Sequence, residues 1–596
     1  MNNPKKLYSD IFDDTGVELA VFNRKNKKMT VVRGLSFLFS IVPLFIFLPN
    51  KPFVAAIAFT VFIVIFIFSI VKQTKYRNRM SYLNAKHNFV EKELDALDGD
   101  VSSFYDGKQY SNGSHEYSGD LDLFGKKSLF QFINRAVTNK GRVLFSDWLK
   151  NPTTEKENII QRQKAISELS EKASWIVDYY ATAGTDIDDK KTGQIMSWLK
   201  QPSFFLDKKT KIISNIITLI TFILFGFTVF GYVSTIAFVM YLFLVPLGYS
   251  SLKVKKVNDL HQQVSKTEEN LQLYSKLIKK IEEEEFGSDI LAQLKNNLSS
   301  ENGNASQSIN KLAKLSSAFD NRLNIFVGII INAFLLWDIR LSGKLELWKE
   351  RHCDNFPKWM ETLNTFDAYN GLGLFAFNNP AFIYPKINNS VIIDAEEVGH
   401  IFISEKNRVG NTIDIKSQKQ FRIITGANMA GKSTYLRTIG TNLLLAMTGV
   451  PVCATKFDFS PIKIFTSMRT DDSLQSDESY FYAELKRLKQ MIDMLNSGEQ
   501  LFIILDEILK GTNSKDKQKG SFALVKQLIT MNAVGLIATH DLALGNLMDE
   551  FPDNIKNKCF EVDTIDDKLK FTYLIRDGVA HNMNATYLMR KMGITI

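Results

Sequence analysis

Cysteine and proline are both scarce in this sequence, which has 3 cysteines and 13 prolines among 596 residues. An odd, sparse cysteine number argues against a disulfide framework, and these cysteines lie too far apart for the close spacing of a structural zinc site. Charged residues make up 23% of the chain, which excludes a collagen-like or largely disordered protein. At roughly 150 residues per domain, the length predicts three to five packed domains in a reducing compartment. We expect no zinc.

Four long apolar runs are the most prominent feature of the sequence. They cover residues 34–49, 53–71, 212–230 and 232–249. A membrane-spanning helix needs about 17 to 25 apolar residues, so three runs are long enough, and the first suffices only if Val31 and Val32 are added and Arg33 snorkels. Because a very short turn joins each pair, the runs predict two transmembrane helical hairpins rather than buried core helices.

Basic residues flank the outer ends of both hairpins. They are Arg24, Lys25, Lys27, Lys28, Arg33, Lys72, Lys75, Arg77, Arg79, Lys208, Lys209, Lys211, Lys253, Lys255 and Lys256. The turns between the paired runs carry only Lys51, so the positive-inside rule places the turns outside the cell. We expect a multi-pass protein of the cell (inner or cytoplasmic) membrane, with its remaining domains cytoplasmic. We attribute the net charge of +9 to contact with the lipid bilayer and not to nucleic acid.

Three further segments give weaker patterns. Residues 325–337 form a fifth apolar stretch that is too short to span a bilayer and contains Asn332, so we expect it to pack inside protein. Apolar or bulky residues recur at every seventh position between Val257 and Ile281, which predicts a coiled-coil helix continuing from the fourth run. Residues 296–308 are rich in serine and asparagine and predict a loop.

A phosphate-binding loop follows a predicted buried strand, residues 421–425, in the last third of the chain. The spacing from the first glycine to the Gly-Lys-Ser triplet is that of a Walker A loop. In such a loop backbone N–H groups wrap the phosphate, the lysine neutralises its oxygens and the serine hydroxyl ligates Mg²⁺. The sequence predicts that ATP is bound by Gly426, Ala427, Asn428, Met429, Ala430, Gly431, Lys432, Ser433 and Thr434.

Two further strand ends supply the rest of the chemistry. An apolar strand, residues 501–505, ends in Asp506 and Glu507, the pattern of a Walker B element. Asp506 would hold Mg²⁺ and Glu507 would polarise the attacking water, although adjacent acids also occur at solvated strand ends. A third strand, residues 533–539, ends at His540. A lone histidine is usually structural, but this sheet edge would place it at the γ-phosphate, in a catalytic position.

The motifs around this predicted site resemble the MutS family of DNA mismatch-repair ATPases. The resemblance rests on IITGANMAGKSTYLR (423–437), PIKIFTSMRTDDSL (461–474), SYFYAEL (479–485), LDEILKGTNSKD (505–516) and ATHDLAL (538–544). Upstream, the segments similar to the start of the family's helical core are DLDLFG (120–125), GRVLFSDWLKNP (141–152) and RQKAISEL (162–169). The implied fold is multidomain, with an α-helical MutS-like core and lever followed by an α/β P-loop NTPase domain of the ABC and MutS type.

The resemblance implies further roles in the ATPase domain. Asn428 would contact the nucleotide, and Arg408 and Val409 would lie near the adenine. Ser479 would act catalytically, in trans, on the γ-phosphate held by the partner subunit of a homodimer, although a serine there also suits a plain helix cap. Residues 511–513 would form a loop that crosses the dimer interface.

The sequence departs from the family on its N-terminal side. Only about 40 residues separate the second apolar run from the core, which is too few for the family's mismatch-recognition domain and its connector. Phe89, Val90 and Glu91 spell the Phe-x-Glu tripeptide of the family's mismatch wedge, but they lie in a polar stretch that predicts a juxtamembrane helix. We therefore expect a membrane-anchored, MutS-related protein without mismatch recognition.

The predicted domains are an N-terminal region with the first hairpin, two parts of the helical core on either side of the second hairpin, and the ATPase domain. Their predicted bounds are 1–110, 111–210, 211–251 for the second hairpin, 252–390 and 391–596. The predicted function is Mg²⁺-dependent ATP hydrolysis in a homodimer, coupled to the movement of helical levers. Non-specific binding of double-stranded DNA is compatible with this function. One alternative is a genuine DNA mismatch-repair or DNA-binding factor tethered to the membrane. A less favoured alternative is an ATP-driven transporter, for which such apolar helices offer no pathway.

Overall fold

A computed structural model describes residues 3–184, 189–300, 303–320, 322, 325–427, 429–468, 480–510, 513–565 and 568–581. By length and composition, four helical rods in this part of the chain are apolar enough to cross a membrane. They belong to two hairpins, and the rest of the described chain forms a helical core and an α/β domain. A single large hydrophobic cluster runs from the core into the α/β domain.

The first apolar hairpin consists of two very long helices, α1 (Pro4–Phe47) and α2 (Pro52–Leu97). Both helices continue well beyond the predicted apolar runs into polar sequence. The polar halves stay helical because they have partners of their own, with Tyr8 and Val90 fully buried. Phe89, the first residue of the predicted wedge tripeptide, stacks on Tyr180 with ring centroids 4.9 Å apart. Its ring thus packs on the core.

Five helices of the core follow the first hairpin. They are α3 (Leu129–Ile133), α4 (Asn139–Lys150), α5 (Lys156–Glu171), α6 (Ala173–Ala183) and α7 (Asp189–Leu199). Thr138 caps α4, because its hydroxyl accepts a hydrogen bond from Gly141 N. The same hydroxyl donates to Asp367, 229 residues later, at 2.8 Å. Burial raises the pKa of Asp367 to about 7, although its hydrogen bonds with Thr138 oppose the shift.

The second apolar hairpin runs from α8 (Lys208–Val229) to a rod made of α9 (Thr235–Leu242) and α10 (Gly248–Val264). A π-helical turn containing Pro246 joins α9 and α10. The wider turn tolerates the missing proline N–H, so the two segments remain one rod. The helices of this hairpin therefore extend beyond the predicted bounds, 211–251.

The predicted coiled-coil helix across residues 257–281 is wrong. Helix α10 ends at Val264, and a separate helix, α11 (Glu268–Glu283), begins after a turn. The turn is closed by the Thr267 hydroxyl, which donates to the Val264 carbonyl at 2.7 Å, and Lys266 adopts a positive φ of 58°. The seven-residue pattern instead reflects burial of both helices in the core.

The segment after α11 contains more regular structure than predicted. It holds α12 (Asp289–Asn296), an antiparallel pair of β1 (Ser299–Ser300) and β2 (Gly303–Asn304), and α13 (Ala305–Asp320). Because α13 begins at residue 305, the predicted loop 296–308 was too long. The core then closes with α14 (Ile325–Leu335), α15 (Trp337–His352) and α16 (Asn355–Asn378).

The fifth apolar stretch forms α14, which packs on the second apolar hairpin. Ile329 and Ile330 are nevertheless 49% and 61% exposed. The prediction that protein encloses this stretch therefore holds for only one of its faces.

The α/β domain contains two sheets. Its strands are β3 (Lys386–Ile387), β4 (Ile393–Val398), β5 (Asn411–Ile415), β6 (Phe421–Gly426), β7 (Lys456–Phe459), β8 (Lys463–Ser467), β9 (Leu501–Asp506), β10 (Val534–Ala538), β11 (Ile555–Ile565) and β12 (Lys568–Asp577). Its helices are α17 (Lys432–Thr448), α18 (Tyr480–Asn496), α19 (Ser514–Thr530) and α20 (Leu547–Glu550). The six-stranded sheet has the order β12-β11-β6-β10-β9-β8, and the four-stranded sheet the order β3-β7-β4-β5.

The three strands predicted around the site are confirmed as β6, β9 and β10. They are parallel neighbours, with β10 between the other two, so their carboxyl ends share one edge. The predicted domain boundary at 390/391 is too late, because β3 already pairs with β7 of the α/β domain.

A polar network ties the first apolar hairpin to the core. Arg135 pairs with Glu93 of α2 through its Nε and Nη2 atoms, and the Glu93 side chain is completely buried. Asn378, the last residue of α16, donates to Glu93 Oε2 at 2.9 Å, and Tyr8 of α1 donates to Asn378 Oδ1 at 2.8 Å. The Arg135 guanidinium also lies over the ring of Phe104, 3.6 Å from its centroid. The network therefore links α1, α2 and α16 at one buried point.

A second contact joins the start of the core to the α/β domain. Buried Asp120 accepts hydrogen bonds from the Thr466 hydroxyl at 2.6 Å and from Met468 N at 3.1 Å. Thr466 N donates to the carbonyl of Glu116 at 2.9 Å, and Arg487 of α18 donates to the same carbonyl at 2.6 Å. The segment around residues 116–120 thus lies along the outer strand, β8.

Candidate ATP site

The phosphate-binding loop connects β6 to α17 and needs glycine at both ends. Gly426 has a φ of 152° and Gly431 a φ of 110°, a region that other residues rarely adopt. A Cβ atom on Gly426 would lie 2.7 Å from the carbonyl oxygen of Phe560. This backbone path brings the free N–H groups at the start of α17 to the edge of the sheet, where an anion can be bound.

Lys432 occupies the first turn of α17 and is buried. Its Nζ donates to the carbonyl oxygens of Gly426 at 2.7 Å and Ala427 at 3.1 Å, so the amine lies in the mouth of the loop. Burial lowers the pKa of Lys432, and the carboxylates of Asp506 and Glu507 act in the opposite direction. A cation held by carbonyl oxygens at this point can exchange them for phosphate oxygens.

Ser433 and Asp506 meet at the same edge. The Ser433 hydroxyl donates to Asp506 Oδ2 at 2.6 Å. Asp506 is the last residue of β9, and Ser433 is the second residue of α17. A hydroxyl and a carboxylate oxygen this close are the ligand types that Mg²⁺ prefers, so the pair fits a magnesium ion.

Glu507 and His540 are in hydrogen-bond contact beside Lys432. His540 Nε2 lies 2.8 Å from Glu507 Oε1 and 3.3 Å from Lys432 Nζ. The hydrogen bond with His540 lowers the pKa of Glu507 to about 2, against the effect of burial. Glu507 also has a positive φ of 56°, a strained conformation for a residue other than glycine. The carboxylate is therefore ionised at neutral pH and oriented by both its backbone and its histidine partner.

Sequence reasoning missed Glu484, which positions the backbone after Glu507. Its carboxylate oxygens accept hydrogen bonds from Leu509 N at 2.6 Å and Lys510 N at 3.0 Å. Burial raises the pKa of Glu484, although these hydrogen bonds oppose the shift. Glu484 shares the buried face of α18 with Leu488 and Met491, at helical spacing. An acid on that apolar face was the signal available in the sequence.

A cavity of about 440 Å³ continues from the loop toward β5 and the segment before it. Val409, His400, Phe560 and Tyr573 are among its lining residues. Burial lowers the pKa of His400 to about 4, so its ring is neutral at pH 7. The cavity thus offers flat, uncharged surfaces beside the phosphate loop.

The structure separates the two residues predicted near the adenine. Val409 lines the cavity, whereas Arg408 is not among its lining residues. Arg408 Nε donates to the carbonyl of Ile403 at 3.0 Å, and its guanidinium lies over the ring of Phe382, 5.4 Å from the centroid. A place for Arg408 near the adenine stays a prediction.

The remaining predicted site residues divide into two groups. Ala427, Met429 and Thr434 line the cavity, and Ala430 is buried within the loop. Asn428, Ser479 and residues 511 and 512 lie outside the described part of the chain. Asn513, the last residue of the predicted interface loop, caps α19 by accepting a hydrogen bond from Asp516 N at 2.9 Å.

Two family models match the chain. The MutS domain III model matches residues 111–321, and the MutS domain V model matches residues 422–594. Together these matches cover more than half of the sequence. The chain belongs to the MutS family.

Individual MutS proteins are similar over shorter segments. "MutS protein homolog 4" of Homo sapiens is 31% identical over 189 residues, which are 30% of this chain and 20% of that protein. "DNA mismatch repair protein MutS" of Thermotoga sp. (strain RQ2) is 34% identical over 194 residues, 32% of this chain and 24% of that protein. The protein of the same description from Persephonella marina (strain DSM 14350 / EX-H1) is 30% identical over 247 residues, which are 40% of this chain and 28% of that protein. The matches thus span less than a third of each of these relatives.

The two MutS matches contain different parts of the structure. The domain V match contains the phosphate-binding loop, Glu507 and His540. The domain III match, residues 111–321, contains all of α8, α9 and α10. The MutS domain III region of this chain therefore carries an apolar hairpin within it.

Proposed function

We propose that this MutS-family protein is a membrane-anchored, Mg²⁺-dependent ATPase that couples ATP binding and hydrolysis in a dimer to movement of its helical core. The observation that carries the ATPase proposal is the convergence of polar groups at one sheet edge. Lys432 and Ser433 open α17, Asp506 and Glu507 lie at the end of β9, and His540 follows β10. Each of these residues contacts another member of the set.

Each group has its own task in the transfer of a phosphoryl group to water. Lys432 would bind the β- and γ-phosphate oxygens of ATP, and Ser433 and Asp506 would hold Mg²⁺. The ion, when bound, supplies positive charge to the same oxygens. Glu507, ionised at neutral pH, would take the proton of the attacking water, while His540 holds the carboxylate in place at 2.8 Å.

We propose further that two chains pair through their ATPase domains, so that Ser479 of the partner subunit completes each site. The support is the resemblance of residues 479–485 and 505–516 to MutS interface segments. Glu484, in the first segment, already ties α18 to the backbone of the second segment at Leu509 and Lys510. A partner's contact near residue 479 would thus act on the segment that carries Glu507.

Mixing two inactive variants tests the composite site. Ser479→Ala and Lys432→Ala homodimers should each be inactive, but a mixed dimer should contain one intact site and regain ATPase activity. The recovered rate should approach about half that of the wild-type sites in the heterodimer fraction, since one of two sites is whole. Two differently tagged chains would show that subunits have exchanged. Absence of recovery despite proven exchange would count against a site shared between subunits.

The membrane part of the proposal rests on exposed apolar surface. Phe45, Phe53 and Phe230, which lie at or near the ends of the hairpins, are 80%, 78% and 78% exposed. Soluble monomers rarely expose contiguous apolar patches of more than a few hundred Å². Both hairpins expose such side chains along most of their apolar length, which suits contact with lipid chains.

Cysteine labelling in intact cells tests the predicted orientation. A cysteine at Lys51 or Gly231, in the two turns, should react with a membrane-impermeant maleimide added outside. Cysteines at the exposed positions Lys27 and Lys255 should react only after permeabilisation, because cations are retained on the cytosolic side. The chain without an added cysteine gives the background. Labelling of intact cells at positions 27 and 255 but not in the turns would show that the hairpins have the opposite orientation.

DNA is the second candidate partner, because the relatives quoted above are described as DNA mismatch repair proteins. We propose weak, non-specific binding of duplex DNA at most. Such binding would come from lysine and arginine contacts with phosphates and would weaken steeply with salt. Mismatch recognition needs an inserted wedge side chain, and Phe89 is packed on Tyr180 in the core.

Fluorescence anisotropy with detergent-solubilised protein tests this limit. At fixed salt, the preference for mispaired over matched duplex should be no more than about threefold, which is at or below the low end of what one read base pair provides. The Phe89→Ala variant is the matched control. A preference of about tenfold that is lost in Phe89→Ala would instead support genuine mismatch recognition.

A further inference from the structure

Helix α14 lies beside the second apolar hairpin at the level of the hairpin's middle. The ring of Phe334 is 5.7 Å from Phe225 and 6.1 Å from Phe238, measured between centroids. Phe225 follows the start of the apolar run, Ile212, by about 20 Å along α8. If the hairpin spans a bilayer, this part of α14 is at the depth of the lipid hydrocarbon.

The polarity of α14 is the reverse of that of a soluble surface helix. Its one polar side chain, Asn332, faces protein and is 9% exposed. Asn332 Nδ2 donates to the Gly328 carbonyl at 3.0 Å, and its Oδ1 accepts from Asp338 N at 2.9 Å. The outward face carries Ile329 and Ile330, which are 49% and 61% exposed. A helix that hides its amide and exposes branched aliphatic side chains is suited to an apolar solvent.

Partly buried polar contacts of Arg340 hold α14 and α15 against the hairpin. Arg340 Nε donates to the carbonyl of Leu335, the last residue of α14, at 2.8 Å. Arg340 Nη2 donates to the Thr218 hydroxyl at 3.1 Å and to the Ser214 carbonyl at 3.3 Å, both on α8. The guanidinium thus satisfies carbonyl groups at the end of one helix and the side of another, where water is scarce.

We propose that α14 is a membrane-embedded helix that does not span the bilayer, and that its Ile329 and Ile330 face contacts the acyl chains of phospholipids around the second hairpin. With 11 residues α14 is about 16 Å long, roughly half of the hydrocarbon thickness. Lipid is the occupant because α14 packs on α8 through Phe334, and α8 itself exposes apolar side chains such as Leu219, which is 62% exposed. The inference rests on the proposed membrane anchoring of the hairpin.

Spin-label accessibility in the full-length protein, reconstituted in phospholipid nanodiscs, tests the inference. Single cysteines would replace Ile330, Leu219 and Leu347 in a chain with Cys353→Ser, since Cys453 and Cys559 are buried. Leu347 is the matched control, because it is a 40% exposed aliphatic residue of the adjacent helix α15. The ratio of collisions with oxygen to collisions with a polar nickel chelate at position 330 should equal that at 219 and exceed that at 347 several-fold.

Each other outcome has a definite meaning. A water-like ratio at 330 with a lipid-like ratio at 219 would overturn the inference for α14 and leave the membrane anchor intact. Water-like ratios at both positions would overturn the anchor as well. Exclusion of both reagents from position 330 would show that protein, such as a second copy of the chain, covers this face, and would also overturn the inference.

A second variant tests the positioning role of Arg340. In the chain labelled at position 330, Arg340→Ala should move the collision ratio toward the water-like value, because α14 loses its attachment to α8. Arg340→Lys should retain more of the lipid-like ratio, since a lysine can reach one of the two acceptors on α8. Arg351→Ala, an exposed arginine on the same helix, is the control and should leave the ratio unchanged. An unaltered collision ratio in Arg340→Ala would show that Arg340 does not position α14.

Discussion

Replacement of Glu507 by glutamine is expected to slow ATP hydrolysis by about a hundredfold or more while ATP binding is retained. The carboxylate is held 2.8 Å from His540 and its pKa is lowered to about 2, so it is ionised at neutral pH and has a free proton-accepting form. Glutamine keeps the shape and can still contact His540, but it cannot take up the proton. Phosphate release in a single turnover, together with the affinity for a fluorescent ATP analogue, separates chemistry from binding.

Two further variants define what the Glu507 result means. Lys432→Ala should lose nucleotide binding itself, because its amine is the cation in the mouth of the phosphate loop. Glu550→Gln, an exposed acid of α20 that pairs with Lys526, makes the same chemical change away from the site and should be unaffected. If Glu507→Gln and Lys432→Ala lost binding equally, Glu507 would be a binding residue and not the base.

Replacement of Arg135 by methionine is expected to destabilise the junction of the first hairpin and the core by about 3–5 kcal/mol. Methionine fills a similar volume but leaves the completely buried carboxylate of Glu93 without its cation. Asn378 alone cannot compensate for that charge, since it supplies one hydrogen bond to Glu93. The thermal midpoint of the unfolding transition, followed by near-ultraviolet circular dichroism in detergent, should fall accordingly.

The matched control is Arg79→Met on the same helix pair. Arg79 donates to Glu18 across α1 and α2, but the two side chains are 45% and 48% exposed, so the loss should stay within about 1 kcal/mol. The double variant Glu93→Leu with Arg135→Met should recover much of the stability, because no unpaired charge remains. An Arg135→Met midpoint equal to that of Arg79→Met would show that the buried pair contributes nothing beyond an exposed one.

The residue cluster at the sheet edge was predictable because its members follow directly from local sequence. Apolar, β-branched runs mark β6 and β9, and the acids at the end of β9 come next in the chain. The glycines at 426 and 431 are required by backbone conformations that local spacing encodes. The parallel sheet then brings Ser433, Asp506 and Glu507 together. This required only that β6, β10 and β9 lie side by side in one sheet.

The parts that could not be predicted depend on contacts between distant segments. The seven-residue pattern around Thr267 marks apolar side chains that are buried. Helices that pack on a folded core and helices that pair in a coiled coil can give the same apolar pattern in the sequence. The Arg408 side chain contacts Phe382 and the Ile403 carbonyl, and no motif in the sequence implies either contact. The exposed face of α14 was missed for the same reason, since its other face packs on a hairpin about 90 residues earlier in the chain.

The polar network at Glu93 holds the first apolar hairpin near one end of a very long helix. Glu93 is four residues from the end of α2, so the opposite end of the helix, at Pro52, lies about 60 Å away. A rotation of about 5° at the buried pair would therefore carry the tip of the rod through about 5 Å. Asn378, which shares the pair, is the last residue of α16 and stands eight residues before β3 of the ATPase domain. On the proposed function, a movement too small to disturb the packing of the core would be enlarged at the far end of the hairpin.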